Sequence, residues 1–516
     1  MNALVPKNSE HVTGVLTGWD RVVFRGTLRM LSFAGGMAAY LSRIGTLLKN
    51  FGEHAQAMTD QLIQASLQRA ETEGRPVEYL RSPQIRKDEY ARNIALGDDI
   101  TEGLICVLTC VEPCRSFEIY RNREKKILEI VARNRKCKFL YHYWIDPRFG
   151  FMSARVQTWF PFPIQVCING REWLARRMDE KGMAYTRYDN SFPSIEEFPK
   201  AQRMFDRMHR IHWPSVLDSI RRRIHPAHGR MFRGLGFHYY WSAFQTEWAT
   251  DTVFDSAESL AAIYPPLVRG AIAAFDSRDV MRFLGHRLRR NHQGQIVSDY
   301  VDRPEGVRVK HRAKGNSIKV YDKGGSILRI ETTINRPEAY RSYRASEADP
   351  EGEKSWRVMR RGVADMHRRA EVSQAANDRY AEALASLDTT TPIGRLAAKV
   401  CRPVRKNGKR YRALRPFSEE DRTLFEAISD GQYAAEGFCN RDLASRLYPT
   451  QSGRPTERGR VASRVSYRLS ILRAHGLIRK LPGRRRYHIT TKGRQIVTAL
   501  LQSQHATLQQ LNALAA

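Results

Sequence analysis

The sequence lacks any apolar run of the roughly 18 residues that a membrane-spanning helix needs. Residues 1–10 also lack the apolar core of a secretory signal. Only 7 of the 516 residues are cysteine, an odd number that argues against a disulfide framework. Together these absences predict a reduced cytoplasmic protein with no membrane partner.

Acidic residues are scarce relative to basic ones. The chain has 86 Lys and Arg against 54 Asp and Glu, a net charge of +32 at pH 7 and an isoelectric point near 10.2. Its 42% hydrophobic residues are nevertheless enough to build folded cores. A folded protein this basic most often binds a polyanion, and nucleic acid is the first candidate. We therefore expect a nucleoid-associated, DNA-binding protein, with RNA as the alternative ligand of its body.

Length and composition predict an α+β protein of several domains, because 516 residues exceed one ordinary domain. Residues 1–100 are expected to be mainly helical. Short aromatic-rich strands in residues 101–345 are typical of an antiparallel sheet with helical insertions. Residues 346–415 hold a long helix and a basic linker, and residues 416–516 form a separate module.

The clearest strand pattern lies in residues 316–334. Apolar and polar residues alternate on both sides of the paired glycines at 324–325, and this pattern predicts a β-hairpin with a tight turn. If the apolar faces of the two strands coincide, the opposite face holds Lys319, Tyr321, Lys323, Arg329 and Glu331. A helix is expected from Asn335 onwards, and Tyr340 and Tyr343 would share one face of it.

This hairpin resembles part of the rolling-circle replication initiators of the filamentous-phage gene II type and of small plasmids. The matching segments are Tyr321-Asp322-Lys323, Leu328-Arg329-Ile330-Glu331, and Tyr340 or Tyr343. The resemblance implies that Glu331 helps to hold a divalent metal and that Tyr340 or Tyr343 attacks a DNA phosphate to leave a 5′-phosphotyrosyl link. Lys319 or Lys323 would then stabilise the phenolate or the developing charge. The His-hydrophobe-His metal motif of such enzymes is absent from the sequence.

Nearby carboxylates extend this hypothesis to a Mg²⁺ or Mn²⁺ site. Glu247 and Asp251 are four residues apart in a strand-like segment, so they would face the same side and could join Glu331. Asp322 is a further candidate, although strict alternation turns it toward the apolar face. The alternative interpretation is an amphipathic hairpin whose charged residues form an ion network on the surface.

Other patterns favour structural roles. Cys106, Cys110 and Cys114 do not have the spacing of a zinc site and are expected to be buried. His225 and His228 are expected in an exposed basic loop or near a phosphate. A set of strand aromatics could stack unpaired bases, although such residues more often belong to a core. They are Tyr143, Trp144, Trp159, Tyr239, Tyr240 and Trp241.

Residues 416–502 show the element order of a winged helix-turn-helix, namely three helices, a basic β-wing and a closing helix, with Ser418 as the first helix cap. The run Leu472–Ile478 and the run Tyr487–Arg494 resemble the MarR-like and related winged-helix families. In this motif the third helix enters the major groove and the wing contacts phosphate. The predicted DNA contacts are Arg458, Arg460, Ser463, Arg464, Tyr467, Arg468, Arg484, Arg485 and Arg486.

The leading functional hypothesis is metal-dependent nicking and joining of DNA by a tyrosine, in the replication or transposition of a mobile element. The body would bind single-stranded DNA, and the winged helix would hold the duplex. One alternative is a non-enzymatic, MarR-like transcriptional regulator, and another is a structural RNA-binding protein. The nicking hypothesis requires Tyr340 or Tyr343 to reach Glu331 and a lysine across an open groove.

Overall fold

The structure is a computed structural model with an α+β fold, which confirms the predicted fold class. Two compact units make up the chain. The first unit contains Met1–Thr17, Trp248–Met359 and Arg368–Ala516, and the second contains Gly18–Glu247 and Arg360–His367. The structure describes residues 4–82, 84–273, 275, 277–286, 296–301, 307–346, 349–387, 393–430, 433, 437–449, 455–481 and 484–504. In these ranges no helix combines the length and apolar composition needed to cross a membrane.

The strands of the described ranges are numbered in chain order. They are β1 (Val12–Leu28), β2 (Val77–Tyr79), β3 (Gly103–Asn122), β4 (Ile127–Asp146), β5 (Gly150–Gln157), β6 (Ile164–Asn169), β7 (Tyr185–Tyr188), β8 (Ser191–Ile195), β9 (Tyr239–Phe254), β10 (Ile296–Val301), β11 (Arg308–Ala313), β12 (Asn316–Lys323), β13 (Ile327–Ile334), β14 (Arg341–Arg344), β15 (Ser355–Val358), β16 (Val404–Lys406), β17 (Lys409–Tyr411), β18 (Ile478–Lys480) and β19 (Tyr487–Ile489).

The α-helices of the same ranges follow. They are α1 (Leu4–Lys7), α2 (Ala34–Arg43), α3 (Phe51–Thr72), α4 (Lys87–Gly97), α5 (Gly170–Asp179), α6 (Phe198–Asp206), α7 (Trp213–Ile224), α8 (His228–Met231), α9 (Ala257–Ala273), α10 (Ser277–Leu284), α11 (Met366–Leu387), α12 (Ile393–Ala398), α13 (Glu419–Ile428), α14 (Asn440–Leu447), α15 (Pro455–Ala474) and α16 (Thr491–Ser503). The region 1–100, predicted to be mainly helical, thus also contains the long strand β1.

Eleven strands form one mixed sheet in the order β10-β11-β12-β13-β9-β1-β6-β5-β4-β3-β2. The β2–β3 pair is parallel, whereas the β3–β4, β4–β5, β5–β6, β10–β11, β11–β12 and β12–β13 pairs are antiparallel. Strands β1 and β9 belong to both units, because the unit boundaries fall within them. The remaining strands of the sheet belong to one unit or the other.

In the first unit, one face of β11–β13 forms the hydrophobic core with helices α9, α10 and α11. Val309, Ile318 and Ile330 come from the strands, and Leu260 and Tyr380 come from the helices. All five are buried. Because strand residues alternate between the two faces of a sheet, their neighbours in sequence are directed to the opposite, polar face.

The C-terminal module has the predicted order of elements, with α13, α14 and α15 followed by the β18–β19 hairpin and α16. The predicted cap is confirmed, because the Ser418 side chain accepts a hydrogen bond from the backbone N–H of Asp421. Asn440 is the first residue of α14, and its side-chain amide donates to the Ala462 carbonyl at 2.8 Å. The winged-helix assignment stays a prediction that rests on this order and on the resemblance.

The predicted helix after the hairpin is wrong. Pro337–Ala339 forms a single 3₁₀ turn, and Arg341–Arg344 then becomes strand β14, which pairs antiparallel with β15. In this register Tyr343 lies opposite Trp356. The strand forms because a partner from later in the chain satisfies its backbone groups, which local helix signals do not reveal.

Candidate active site and nucleic-acid interface

The β12–β13 hairpin brings three polar side chains together. Its register pairs Lys319 with Glu331 and Tyr321 with Arg329, which confirms the polar face expected from the sequence. The Lys319 ammonium lies 2.8 Å from one carboxylate oxygen of Glu331, and the Tyr321 hydroxyl donates to the other at 2.9 Å. We call Lys319, Tyr321 and Glu331 the Tyr321 cluster.

The carboxylate of this cluster is kept ionised. Burial alone would raise the pKa of Glu331, but the positive charges of Lys319 and Arg329 and the hydroxyl of Tyr321 outweigh burial and hold that pKa below its ordinary value. Glu331 is fully buried, whereas Lys319 and Tyr321 are half-buried. An ionised carboxylate bonded to a phenol and flanked by an ammonium can accept the phenolic proton and stabilise negative charge.

Cationic side chains surround the cluster on the same sheet face. In the β11–β12 register, Lys310 lies opposite Lys319, and Arg308 lies opposite Tyr321. Directly opposed residues of an antiparallel pair project to the same side. Partial burial and the like charges of Lys319, Arg312 and Arg308 lower the pKa of Lys310. Such crowding of positive charge is relieved by an anion, and a phosphodiester backbone supplies a row of them.

Neither tyrosine predicted as the nucleophile is placed beside Glu331. Tyr340 is buried against Ile334 and Met359, and its ring lies 4.7 Å from that of His286. Desolvation raises the pKa of Tyr340, so its phenolate is disfavoured. Tyr343 lies on β14, where the Arg486 guanidinium covers its ring at 4.3 Å. The sequence motif includes Tyr321, but the resemblance implies that Tyr340 or Tyr343 attacks the phosphate. Only the β12–β13 register shows that Tyr321 is the tyrosine that contacts the Glu331 carboxylate.

Two of the predicted metal carboxylates have other partners in the first unit. Asp251 is buried and accepts two hydrogen bonds from Arg329, at 2.6 and 2.8 Å. Asp322 accepts the backbone N–H of Gly325 at 2.9 Å and so belongs to the hairpin turn; burial raises the pKa of Asp322. Lys323, at the end of β12, is half-buried.

The second unit contains a different pair of carboxylates. Glu247 accepts hydrogen bonds from Arg21 at 3.1 Å and from Gln245 at 2.7 Å. Asp20, on β1, is buried and accepts from Asn190 at 2.7 Å. One carboxylate oxygen of Asp20 and one of Glu247 lie within 4.8 Å of each other. Sequence reasoning found Glu247 and missed Asp20, because the two residues are far apart in the chain.

The outward face of the second unit's strands presents aromatic rings beside arginines. Tyr240 is 37% exposed and Phe244 is 36% exposed. The Arg29 guanidinium lies 3.5 Å from the centre of the Tyr240 ring, and that of Arg25 lies 5.7 Å from the Phe244 ring. Burial and the charges of Arg155 and Arg361 lower the pKa of Arg25.

We call the surface formed by Arg25, Arg29, Tyr240 and Phe244 the stacking face. Of the aromatics named from the sequence, Tyr240 is exposed and Trp159 is half-buried, whereas Tyr143, Trp144, Tyr239 and Trp241 are buried. Exposed rings with neighbouring guanidinium groups are the features on which single-stranded nucleic acids stack.

The histidines expected in an exposed loop are instead buried. His225 has no exposed surface, and neither of its ring nitrogens has a hydrogen-bond partner. Desolvation lowers the pKa of His225 well below its usual value and that of His228 to about 4. The expectation for the cysteines is confirmed, because Cys106, Cys110 and Cys114 are buried on β3.

The predicted DNA contacts of the C-terminal module divide into two groups. Arg468 pairs with Glu420 at 2.5 Å, and Arg486 is buried, donating to the Gly437 carbonyl at 2.6 Å and pairing with Asp442 at 3.1 Å. Arg486 is therefore a structural residue, because its guanidinium ties the β18–β19 hairpin to the start of α14. The exposed group consists of Arg458, Arg460, Ser463, Arg464 and Tyr467 on α15 and of Arg484 and Arg485 before β19.

Comparison with known protein families, with curated proteins and with solved structures found no match.

Proposed function

We propose that this protein binds DNA and nicks and rejoins one strand through a tyrosine, and that Tyr321 is the nucleophile. The observation that supports this proposal is the hydrogen bond from the Tyr321 hydroxyl to the ionised Glu331, whose other oxygen faces Lys319. A nucleophile bonded to a base, with a cation beside it, is the arrangement that activates a weakly acidic hydroxyl. Tyr340 lacks this arrangement, because within the described residues its buried hydroxyl has no hydrogen-bond partner.

The proposed step is a transesterification. The Tyr321 oxygen attacks phosphorus while its proton passes to the Glu331 carboxylate, and the bond between phosphorus and the 3′ oxygen breaks. The departing 3′ oxygen takes up a proton, and the 5′ phosphate stays on the tyrosine. Lys319 stabilises the charge that develops on the reacting oxygens. The reverse reaction rejoins the strand without another energy source, because one phosphodiester has replaced another.

Mg²⁺ or Mn²⁺ is the proposed cofactor. Asp20 and Glu247 have the hard oxygen donors and the spacing that such a cation takes, whereas Asp251 and Asp322 are occupied by protein partners. A bound cation would polarise a phosphate oxygen. We expect calorimetry to detect Mn²⁺ binding that weakens at least tenfold in Glu247→Gln.

Single-stranded DNA is the proposed ligand of the body, and the stacking face is its proposed contact. Each stacked base contributes about 1–3 kcal/mol. We expect Tyr240→Ala to weaken binding of a thymine oligonucleotide by about tenfold, whereas the conservative Tyr240→Phe keeps most of the affinity. Equal affinity in all three proteins would contradict this contact.

A covalent-adduct assay tests the catalytic proposal. The full-length protein is incubated with Mn²⁺ and single-stranded DNA labelled at its 3′ end, and the label on denatured protein is measured. We expect Tyr321→Phe to abolish the adduct, and Tyr343→Phe, the matched control, to retain it. Glu331→Gln and Lys319→Met should reduce the rate strongly. An adduct that persists in Tyr321→Phe would refute the assignment, and bound DNA without any adduct would refute the activity.

A second candidate function is transcriptional regulation without catalysis, and the exposed basic face of α15 favours it. Arg460, Arg464 and Tyr467 are exposed on this helix, as a groove-reading helix requires. Selection from random duplexes distinguishes the two functions. A protein that recovers one sequence motif and forms no adduct on any DNA is a regulator.

A further inference from the structure

Strands β3 and β4 continue far beyond their neighbours in the sheet. Each is 20 residues long. Strand β2 pairs only with Val107–Thr109 of β3, and β5 pairs only with Phe139–Asp146 of β4. In the described part of the chain, the twelve pairs from Val111–Lys138 to Asn122–Ile127 therefore form a two-stranded ribbon roughly 40 Å long. We call residues 111–138 the ribbon.

The base of the ribbon is anchored and its tip is not covered. The Ser116 hydroxyl donates to the Phe160 carbonyl at 2.8 Å, and Cys114 and Cys137 are buried beside Trp159. From Glu118 onwards most side chains are exposed, and the four-residue turn is closed by the Asn122 side chain, which accepts the backbone N–H of Lys125 at 3.0 Å. The tip thus keeps a defined shape.

The ribbon is strongly cationic. Its residues 111–138 contain nine basic residues against four acidic ones, and all nine basic residues are exposed. Two of the acids are paired within the ribbon, Glu118 with Arg133 at 3.1 Å and Glu129 with Lys125 at 3.6 Å. Charges of either sign would protect the unpaired edges of a long ribbon from aggregation. Edge protection does not explain why positive charges greatly outnumber negative ones, whereas binding of a polyanionic partner does.

The tip also exposes apolar side chains, with Tyr120 and Ile127 each 48% exposed and Leu128 39% exposed. Exposed apolar groups among phosphate-binding cations suit a groove, where they can contact base edges and thymine methyl groups. The major groove of B-form DNA, about 12 Å wide and 8.5 Å deep, admits a two-stranded ribbon, whereas the major groove of A-form RNA is deep and too narrow.

We propose that the ribbon is a DNA-binding arm whose tip enters the major groove of duplex DNA. Arg121, Arg123, Lys125 and Lys126 contact phosphates on the two sides of the groove. Tyr120 and Ile127, which project from the same face of the ribbon, contact its floor. This inference rests on the DNA-binding part of the proposed function and is independent of the nicking activity. It adds a duplex contact in the body, besides that expected of the C-terminal module.

Binding of the full-length protein to a fluorescent 30-base-pair DNA duplex tests the proposal. In the tip variant, Arg121, Arg123, Lys125 and Lys126 are all changed to Gln. The matched control changes four exposed basic residues elsewhere in the same unit to Gln, namely Lys49, Arg81, Lys181 and Arg210. We expect the tip variant to lose at least tenfold in affinity and about three units of the log–log salt slope. The control should lose less than threefold.

Two further measurements distinguish the groove contact from a general attraction to anions and from self-association. Tyr120→Ser with Ile127→Ser should reduce the preference for duplex DNA over duplex RNA and leave the salt slope unchanged. The proposal would be overturned if the tip variant and the control lost the same affinity for duplex DNA. It would also be overturned if the tip variant lost as much affinity for anionic vesicles as for duplex DNA. A dimeric wild type that becomes monomeric in the tip variant would overturn it too, by assigning the ribbon to a second copy of the chain. The adduct assay on single-stranded DNA reports on Tyr321 separately and is expected to be unchanged.

Discussion

The buried ion pair between Asp251 and Arg329 yields the sharpest stability prediction, because one of its members was a candidate metal ligand. The two side chains are 2% and 0% exposed and are joined by hydrogen bonds of 2.6 and 2.8 Å. Removing one member of such a pair leaves an uncompensated buried charge, which costs about 3–5 kcal/mol.

The two single substitutions should differ in magnitude. Asp251→Asn leaves the Arg329 guanidinium near the carboxylate of Glu331, and Arg329 helps to lower the pKa of that carboxylate. The free energy of unfolding should therefore fall by about 3 kcal/mol. Arg329→Met removes a positive charge from two buried carboxylates and should cost about 5 kcal/mol. The double variant Asp251→Leu with Arg329→Met leaves neither member charged and should cost less than about 2 kcal/mol, since apolar replacements of a buried pair are often nearly neutral.

Urea unfolding followed by tryptophan fluorescence measures these effects, with Trp248 in the same strand as Asp251. For a slope of about 3 kcal/mol per M, the midpoint should fall by about 1 M in Asp251→Asn. Mn²⁺ binding is measured in parallel and should not change. Additive single and double effects would refute the coupling, because a double-mutant cycle isolates it. Loss of Mn²⁺ binding with unchanged stability would make Asp251 a ligand instead.

Three other predictions follow from buried or close-packed groups. His225 is neutral in the fold, so below an unfolded pKa of about 6.5 the unfolded state binds the extra proton, and the contribution of His225 to stability falls by about 1.4 kcal/mol per pH unit; a pH series of urea midpoints should become less steep in His225→Phe. A Cβ at Gly170 would lie 2.1 Å from the backbone oxygen of Trp19, so Gly170→Ala should cost about 3 kcal/mol, whereas Gly97→Ala, with open space, should change the melting temperature little. Arg464→Gln, on the exposed face of α15, should weaken duplex binding about tenfold without changing the melting temperature, and an unchanged affinity would remove this helix from the interface.

The hairpin was predictable because its determinants are local. Alternation of apolar and polar residues sets which face is buried, and paired glycines set the turn, so the polar face with Lys319, Tyr321 and Glu331 could be derived without any tertiary partner. The order of the C-terminal elements and the Ser418 cap were predictable for the same reason.

What lay beyond the sequence depends on partners that are distant in the chain. Arg486 was expected to contact DNA, but Asp442 and the ring of Tyr343 bind its guanidinium inside the fold. Tyr340 was expected on an accessible helix, but a strand and a buried site replace that helix. Composition shows the charge and polarity of a side chain, whereas burial depends on which segment covers it.

The sequence alone determined that the chain is basic, that it folds into α and β elements, and that residues 316–334 form a hairpin with a polar face. Only the tertiary structure decided which tyrosine meets Glu331, that Asp251 is neutralised by Arg329, and that β3 and β4 extend as a cationic ribbon. The physical reason is that alternation and turn chemistry act over a few neighbouring residues. Ion pairing, burial and the length of strand pairing are set by contacts between segments far apart in the chain.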